Sequence, residues 1–159
     1  MNPSPSDIQV RLGTVADVPQ IAESRRTDPD AGPADSRMAA YLEGRHHPQQ
    51  ALPPRVAYLA TVEGALAGYI AGHLTRRYGC EGEVQYLYVA PAYRRAGVAT
   101  ALLRQLGQWF VEQRAARICV DVNEESSGAR PFYASHGAQQ LRPHWLVWPD
   151  IKAVLAEAL

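Results

Sequence analysis

Lysine is almost missing from this chain. Lys152 is the only one among 16 basic residues, the rest being arginine. Base composition produces such a bias as easily as chemistry does, so it carries no functional weight. Net charge is also missing, because the 16 basic residues meet 16 acidic ones. With no basic excess and no basic stripe, nothing draws the chain to nucleic acid or to an anionic membrane surface. Cysteine is scarce: Cys80 and Cys119 are the only two, with no CxxC and no histidine at ligand spacing. That argues against a disulfide framework or a metal site. The pair His46-His47 has no evident third ligand and reads as a solvent-facing loop. No apolar run is long enough to span a bilayer. The first residues, Met1-Asn-Pro-Ser-Pro-Ser-Asp7, lack the basic start and apolar centre of a signal peptide. A cytoplasmic protein is the expectation.

What is present suits one domain over residues 1–159, with a flexible polar tail over 1–6. At 47% hydrophobic and 20% charged, the composition is ordinary for a globular chain that buries a core. Ile8, Val10 and Leu12 alternate with polar residues as in a half-buried strand. Thr14 and Asp17 then open a helix through Ala22 in near capping-box fashion. After an Asp-, Pro- and Gly-rich loop from Thr27, a weak helix is expected over Ser36 to Gly44. Arg55–Val62 and Ala65–Tyr78, turning at Glu63-Gly64, form the clearest hairpin. Gly68 and Gly72 within it suggest a bend, a bulge or a close backbone neighbour. Glu81–Ala90 reads as a strand stopped by Pro91. From Val98 to about Gln113, Ala99, Leu102, Leu103, Leu106, Trp109 and Phe110 follow helical spacing. Arg117–Val122 is a strand and Gly128–His136 a short helix. Gln139–Leu141 and His144–Trp148 are final strands, and Ile151–Leu159 a last helix. The order βα(α)βββαβαβ(β)α is α/β, an α+β mixed sheet covered by helices.

Between the strand ending at Val89 and the helix beginning at Val98 lies Ala90-Pro-Ala-Tyr-Arg94-Arg95-Ala96-Gly97. A glycine-containing turn placed there aims several N–H groups, and the positive end of the helix dipole, at one point. Gly97 lets an anion approach without a Cβ in the way, and Ala99 keeps the first turn slim. This is the physics of a phosphate cradle. A Walker loop would end in Gly-Lys-Ser/Thr, which is absent. A dinucleotide fingerprint would put its first glycine directly after the strand, which it does not.

The segment does resemble the GNAT N-acetyltransferase superfamily. Its pyrophosphate loop, Arg/Gln-x-x-Gly-x-Gly/Ala, is matched at every fixed position by Arg94-Arg95-Ala96-Gly97-Val98-Ala99. Leu87-Tyr88-Val89-Ala90-Pro91 precedes it at the family's distance. Ala129-Arg130-Pro131-Phe132-Tyr133 resembles the family's A-x-x-F-Y helix, and Gly137 follows at the usual spacing. The resemblance is strongest over residues 83–138. It implies a GNAT-like fold, with a central, mostly antiparallel mixed sheet of six to seven strands flanked by helices. It also implies acetyl-CoA as cosubstrate, without a metal. By that likeness, backbone groups of Leu87, Tyr88 and Val89 pair with the pantetheine arm. The N–H groups of Arg95, Ala96, Gly97, Val98, Ala99 and Thr100 cradle the pyrophosphate, with Arg94 or Arg95 adding charge-assisted contacts. Where the family often has a cofactor-contacting Asn, this chain has Ser126; Asn123 lies one turn too early. Phe132 is assigned to the core.

The likeness also suggests who moves protons. Glu83 occupies the position of the family's general-base glutamate, and strand alternation would put it on one face with Gln85, Leu87 and Val89. A carboxylate there can take an ammonium proton if burial raises its pKa; the bland alternative is a charged residue near a strand edge. Glu81 and Asp121 are second choices. Tyr133 stands where the family places a tyrosine that protonates the CoA sulfur, a task suited to a phenol, although an aromatic packed on the sheet is the commoner fate. The family implies the Val89 N–H as donor to the thioester carbonyl.

The acceptor would be a primary amine of a small molecule or peptide, selected by residues 25–54 and 141–149. Asp28, Asp30, Asp35 and Glu43 would suit a cationic amine. Tyr41, Tyr86, Tyr88, Trp145 and Trp148 could wall the site, or be core or dimer contacts. Homodimerisation is a family habit that leaves no mark in this sequence. Two readings result: an active N-acetyltransferase, favoured by Glu83 with Tyr133, and a non-catalytic CoA-binding sensor or interaction module.

Overall fold

The computed structural model describes residues 7–28, 37–122 and 128–156. Its strands are β1 (Ile8–Leu12), β2 (Leu52–Val62), β3 (Ala65–Leu74), β4 (Gly82–Val89), β5 (Ile118–Asp121), β6 (Gln139–Arg142) and β7 (Trp145–Trp148). They form one seven-stranded sheet in the order β1-β2-β3-β4-β5-β7-β6. The helices are α1 (Val18–Arg26), α2 (Arg37–Leu42), α3 (Val98–Glu112), α4 (Ala129–Ser135) and α5 (Ala153–Ala156). Neighbouring strands run antiparallel except β4 and β5. That parallel pair needs a crossover connection, and α3 lies within it.

Helix α3 forms as its spacing predicts. Val98, Leu102, Leu103, Leu106 and Phe110 are all buried, and they pack on Ile70, Val84, Ile118 and Trp148. On the opposite face, Ile21 of α1 and Met38 and Tyr41 of α2 cover Leu59, Tyr69 and Tyr88. A third, small cluster joins Cys80, Cys119 and Val147. Both cysteines are free and buried.

Some element ends differ from those expected. β3 stops at Leu74 rather than Tyr78 because the Thr75 hydroxyl accepts the Arg77 N–H at 3.1 Å and starts a 3₁₀ turn over Arg77–Gly79. The last helix begins only at Ala153, after a turn in which Asp150 accepts the Lys152 N–H at 3.0 Å. Gly68 has a close backbone neighbour: a Cβ there would strike the Tyr88 carbonyl and meet the Val89 Cα at 3.2 Å.

Two irregularities in β4 shape its surroundings. Ala71 faces Tyr86 while Gly72 faces Val84, so Gln85 is an extra, bulged residue. And β4 pairs with β5 only from Gly82 to Val84. Beyond Val84 the β5 side of β4 has no strand neighbour among the described residues.

Candidate active site

The opened edge of β4 and the head of α3 bound a cleft of about 540 Å³. It is lined by Leu87, Tyr88 and Val89, by the loop residues Tyr93 to Thr100 other than Ala96, and by Gly128, Ala129 and Phe132 across from them. The Ala90 N–H donates to the Ala67 carbonyl on β3 at 2.8 Å. Alternation along an antiparallel ladder then turns the backbone groups of Leu87 and Val89 the other way, into the cleft. The loop continues with two residues in the left-handed region, Arg95 at φ 63° and Gly97 at φ 89°. The amides from Arg95 to Thr100 make no backbone hydrogen bond to a described residue; the helical ladder begins with Ala101 N–H to the Gly97 carbonyl at 3.0 Å. A row of unpaired donors at the positive end of a fifteen-residue helix is suited to an anion.

The two arginines of the loop do different things. Arg94 donates from Nε to the Val89 carbonyl at 2.9 Å and from Nη2 to Asp28 at 3.1 Å. The Tyr88 hydroxyl donates to that same Asp28 oxygen at 2.7 Å. Burial first, and the Asp28 bond second, push the Tyr88 phenol up to about 12. Arg94 therefore fastens the loop to the strand end and to the segment after α1. Arg95 is exposed and forms no ion pair with a described residue, so its charge is left beside the cradle.

At the other end of β4, Glu83 is 4% exposed. Its Oε1 lies 3.3 Å from Arg77 Nε and 3.7 Å from His73 Nε2. His73, directly opposite Glu83 on β3, is itself buried, with Nδ1 3.1 Å from the Tyr41 hydroxyl. Arg77 stacks over Trp145, which meets the Tyr78 ring edge-on, and Arg142 covers Tyr78 from 4.3 Å. The alternation expected from sequence fails here. The bulge at Gln85 shifts the parity, so Glu83 shares a face with Tyr86 and Tyr88, toward α2, while Leu87 and Val89 face α3.

Residues 19–138 match the Acetyltransferase (GNAT) family. This chain belongs to that family. An uncharacterised N-acetyltransferase of Mycobacterium tuberculosis is 30% identical over 108 residues, covering 68% of this chain and 63% of the relative. The matched stretch is thus under two thirds of that relative's length. The GNAT domain of S. lividans PAT superposes with a TM-score of 0.69 at 20% identity, covering 88% of each chain. The paia N-acetyltransferase of Thermoplasma acidophilum, solved in complex with coenzyme A, gives 0.64 at 14% identity, covering 88% of this chain and 96% of that one. The mixed, mostly antiparallel sheet expected from the sequence is the GNAT fold seen here.

Against that family background the predicted site residues divide clearly. Leu87, Tyr88, Val89, Arg94, Arg95, Gly97, Val98, Ala99 and Thr100 meet at the cleft, whereas Ala96 sits in the loop without lining it. Ser126 and Asn123 lie outside the described residues, as do Asp30 and Asp35. Phe132 lines the cleft instead of serving the core alone. Tyr133 is 5% exposed, set edge-on against Trp148 at 5.6 Å, and does not line the cleft. Burial holds its phenol above the ordinary tyrosine range. Glu81 is engaged elsewhere: its Oε1 accepts the Ala116 and Arg117 amides at 2.9 and 3.2 Å, which hold the carboxyl below its usual range. Asp121 is raised, by burial and then by the charge of Glu83. Asp28 is a buried anchor, and Glu43 is engaged by Arg45. The supposed aromatic wall separates into buried Tyr41, Tyr88 and Trp148, of which Tyr88 also lines the cleft, and half-buried Tyr86 and Trp145. His47 accepts from Arg55 at 2.6 Å. Sequence reasoning missed His73 and Arg77 around Glu83, and it named Tyr41 only as a wall aromatic, not as the partner of His73. It also missed His136, whose Nε2 meets the Thr100 hydroxyl at 3.1 Å.

Proposed function

We propose that this GNAT chain is an acetyl-CoA-dependent N-acetyltransferase, working in the cytoplasm on a primary amine of a small molecule or peptide by direct attack in a ternary complex. The row of unpaired amides from Arg95 to Thr100, abutting the unzipped edge of β4, carries this reading. Such donors fit a pyrophosphate, and the strand edge fits an amide-bearing arm lying alongside it, as β-augmentation does. The coenzyme A bound by the structural neighbour from Thermoplasma is consistent with the same use. The two free, buried thiols suit a reducing compartment.

Acetyl-CoA supplies an activated thioester. Around it, this chain's own groups divide the work. Arg95 offers charge to the phosphates, and Leu87 and Val89 hold the arm by their backbone groups. The Val89 N–H is the donor available to a carbonyl oxygen that gains charge. Glu83, a buried carboxylate, accepts the proton of the acceptor's ammonium. Tyr133, packed against the cleft-lining Phe132, keeps its hydroxyl proton through burial and is the proposed donor to a leaving sulfur that reaches it past the cleft wall. Calorimetry with acetyl-CoA, followed by thiol release with spermidine, ethanolamine, an alanyl peptide and a lysyl peptide, tests the proposal. Binding with release for at least one acceptor is expected. Binding without release across primary amines would leave a CoA-binding sensor or interaction module, and no binding would sink both.

A further inference from the structure

The surroundings of Glu83 contain a second proton site. The Tyr41 hydroxyl is 2.7 Å from the Gly72 carbonyl. A carbonyl only accepts, and a hydroxyl has one proton, so that proton is committed to Gly72. The contact between the Tyr41 oxygen and His73 Nδ1 at 3.1 Å is then a hydrogen bond only if Nδ1 carries the donor. The network thereby assigns the imidazole its tautomer: Nδ1 is protonated and Nε2 bears the free lone pair. His73 Nε2 is buried and without a hydrogen bond, and it faces a carboxylate oxygen 3.7 Å away. A buried lone pair opposite a buried anion is unfavourable on both sides. One proton between them, on Nε2 or on the carboxyl, removes the conflict.

We propose that His73 and Glu83 act as a proton-sharing pair, in which His73 Nε2 receives the acceptor's proton from Glu83. This rests on the acetyltransferase function proposed for the chain. In balance, an N–H bond of the acceptor ammonium breaks and an O–H bond forms on Glu83, leaving a neutral amine. That O–H bond then breaks as an N–H bond forms at His73 Nε2. Glu83 returns to a carboxylate, His73 becomes an imidazolium with Nδ1 still donating to Tyr41, and the proton is released to water before the next turnover. His73 acts through Glu83, so it is a positioning and relay residue.

The charged and titratable groups facing the pair come from every side. Arg77 approaches from the turn after β3, and Arg55 from β2, where it pairs with His73 across the strands and lies over the Tyr41 ring. Asp121 approaches from β5, Tyr41 from α2, Tyr86 from β4 itself, and the Cys80 and Cys119 thiols from the small cluster beside it. Arg77 and Arg55 oppose protonation of His73, and Asp121 favours it when ionised.

The decisive measurement is the pH titration of the histidine side-chain nitrogens by ¹⁵N NMR on the intact protein. His73 should show the Nδ1–H tautomer when neutral. In Glu83→Gln its titration midpoint should fall measurably, because the carboxylate 3.7 Å from Nε2 that favours the cation is gone. In Tyr41→Phe the preference for Nδ1–H should relax. A neutral Nε2–H tautomer, or a midpoint that ignores Glu83→Gln, overturns the shared proton. The second arm uses the fastest acceptor of the amine panel. In His73→Gln, kcat should fall about 10- to 100-fold and the acidic limb of its pH profile should move down by about one unit or more, with acetyl-CoA affinity within about twofold. An unmoved limb overturns the relay. Absence of turnover in the whole panel defeats the acetyltransferase reading and the relay with it, while the NMR titration still decides whether the proton is shared.

Discussion

The two ends of β4 are built from different materials. At the Val89 end, the groups turned to the cleft are backbone donors, and the side chains nearby serve mostly to hold that backbone in place: Arg94 on Asp28, Tyr88 on Asp28, Val98 in the core. At the Glu83 end the backbone is paired on both sides, and the chemistry lies in buried side chains that face one another. A site of backbone groups recognises a constant ligand and tolerates sequence change. A site of buried side chains depends on each member, because a lost partner strands a charge or a lone pair.

Four substitutions test that contrast. The largest effect should come from Glu83→Gln, which is expected to lower kcat about 10²- to 10³-fold while leaving the acetyl-CoA Kd within about twofold, by steady-state kinetics and calorimetry. If affinity fell in parallel, the two ends would not be separable. Next is Arg94→Ala. It removes a donor to buried Asp28, but Arg94 is 44% exposed, so solvent screening limits the cost. A loss of about 1–2 kcal/mol in urea unfolding is expected, with weaker acetyl-CoA binding because the loop loses its anchor. An unchanged unfolding midpoint would make Arg94 a ligand contact only.

Tyr133→Phe keeps the ring on Trp148 and removes the hydroxyl. Turnover should drop about tenfold with cofactor affinity barely changed, and undiminished turnover would make Tyr133 a core aromatic. The smallest effect belongs to Arg95→Ala. With the amides intact, acetyl-CoA affinity should fall only about 3- to 10-fold, and the difference should shrink as salt is raised. A salt-independent loss would mean that the substitution had disturbed the left-handed turn instead.

Much of the fold was legible in the sequence because its signals are local. The stripe on α3, the hairpin turn at Glu63-Gly64 and the stop at Pro91 each depend on residues within a few positions of one another. The bulge at Gln85 was not legible: it arises from how β4 is threaded between β3 and β5, and period-two counting runs straight through it. That one extra residue moved Glu83 away from the face assigned to it. Asp28 misled for a related reason. It lies in a polar segment that reads as solvated, and only the approach of Tyr88 and Arg94, 60 and 66 positions away, makes it a buried anchor.

By itself, then, the sequence determined the cleft proposed for the acetyl donor. Strand, turn and helix are contiguous from Leu87 to Thr100, so the run of amides is set mainly by local chain geometry, with Arg94 on Asp28 as a distant tie. Tertiary structure decided the surroundings of Glu83. Glu83 acquires its partners from β3, from the turn after it and, through His73, from Tyr41 on α2. Buried polar groups must find partners wherever the fold brings them, and no local pattern records which ones they find.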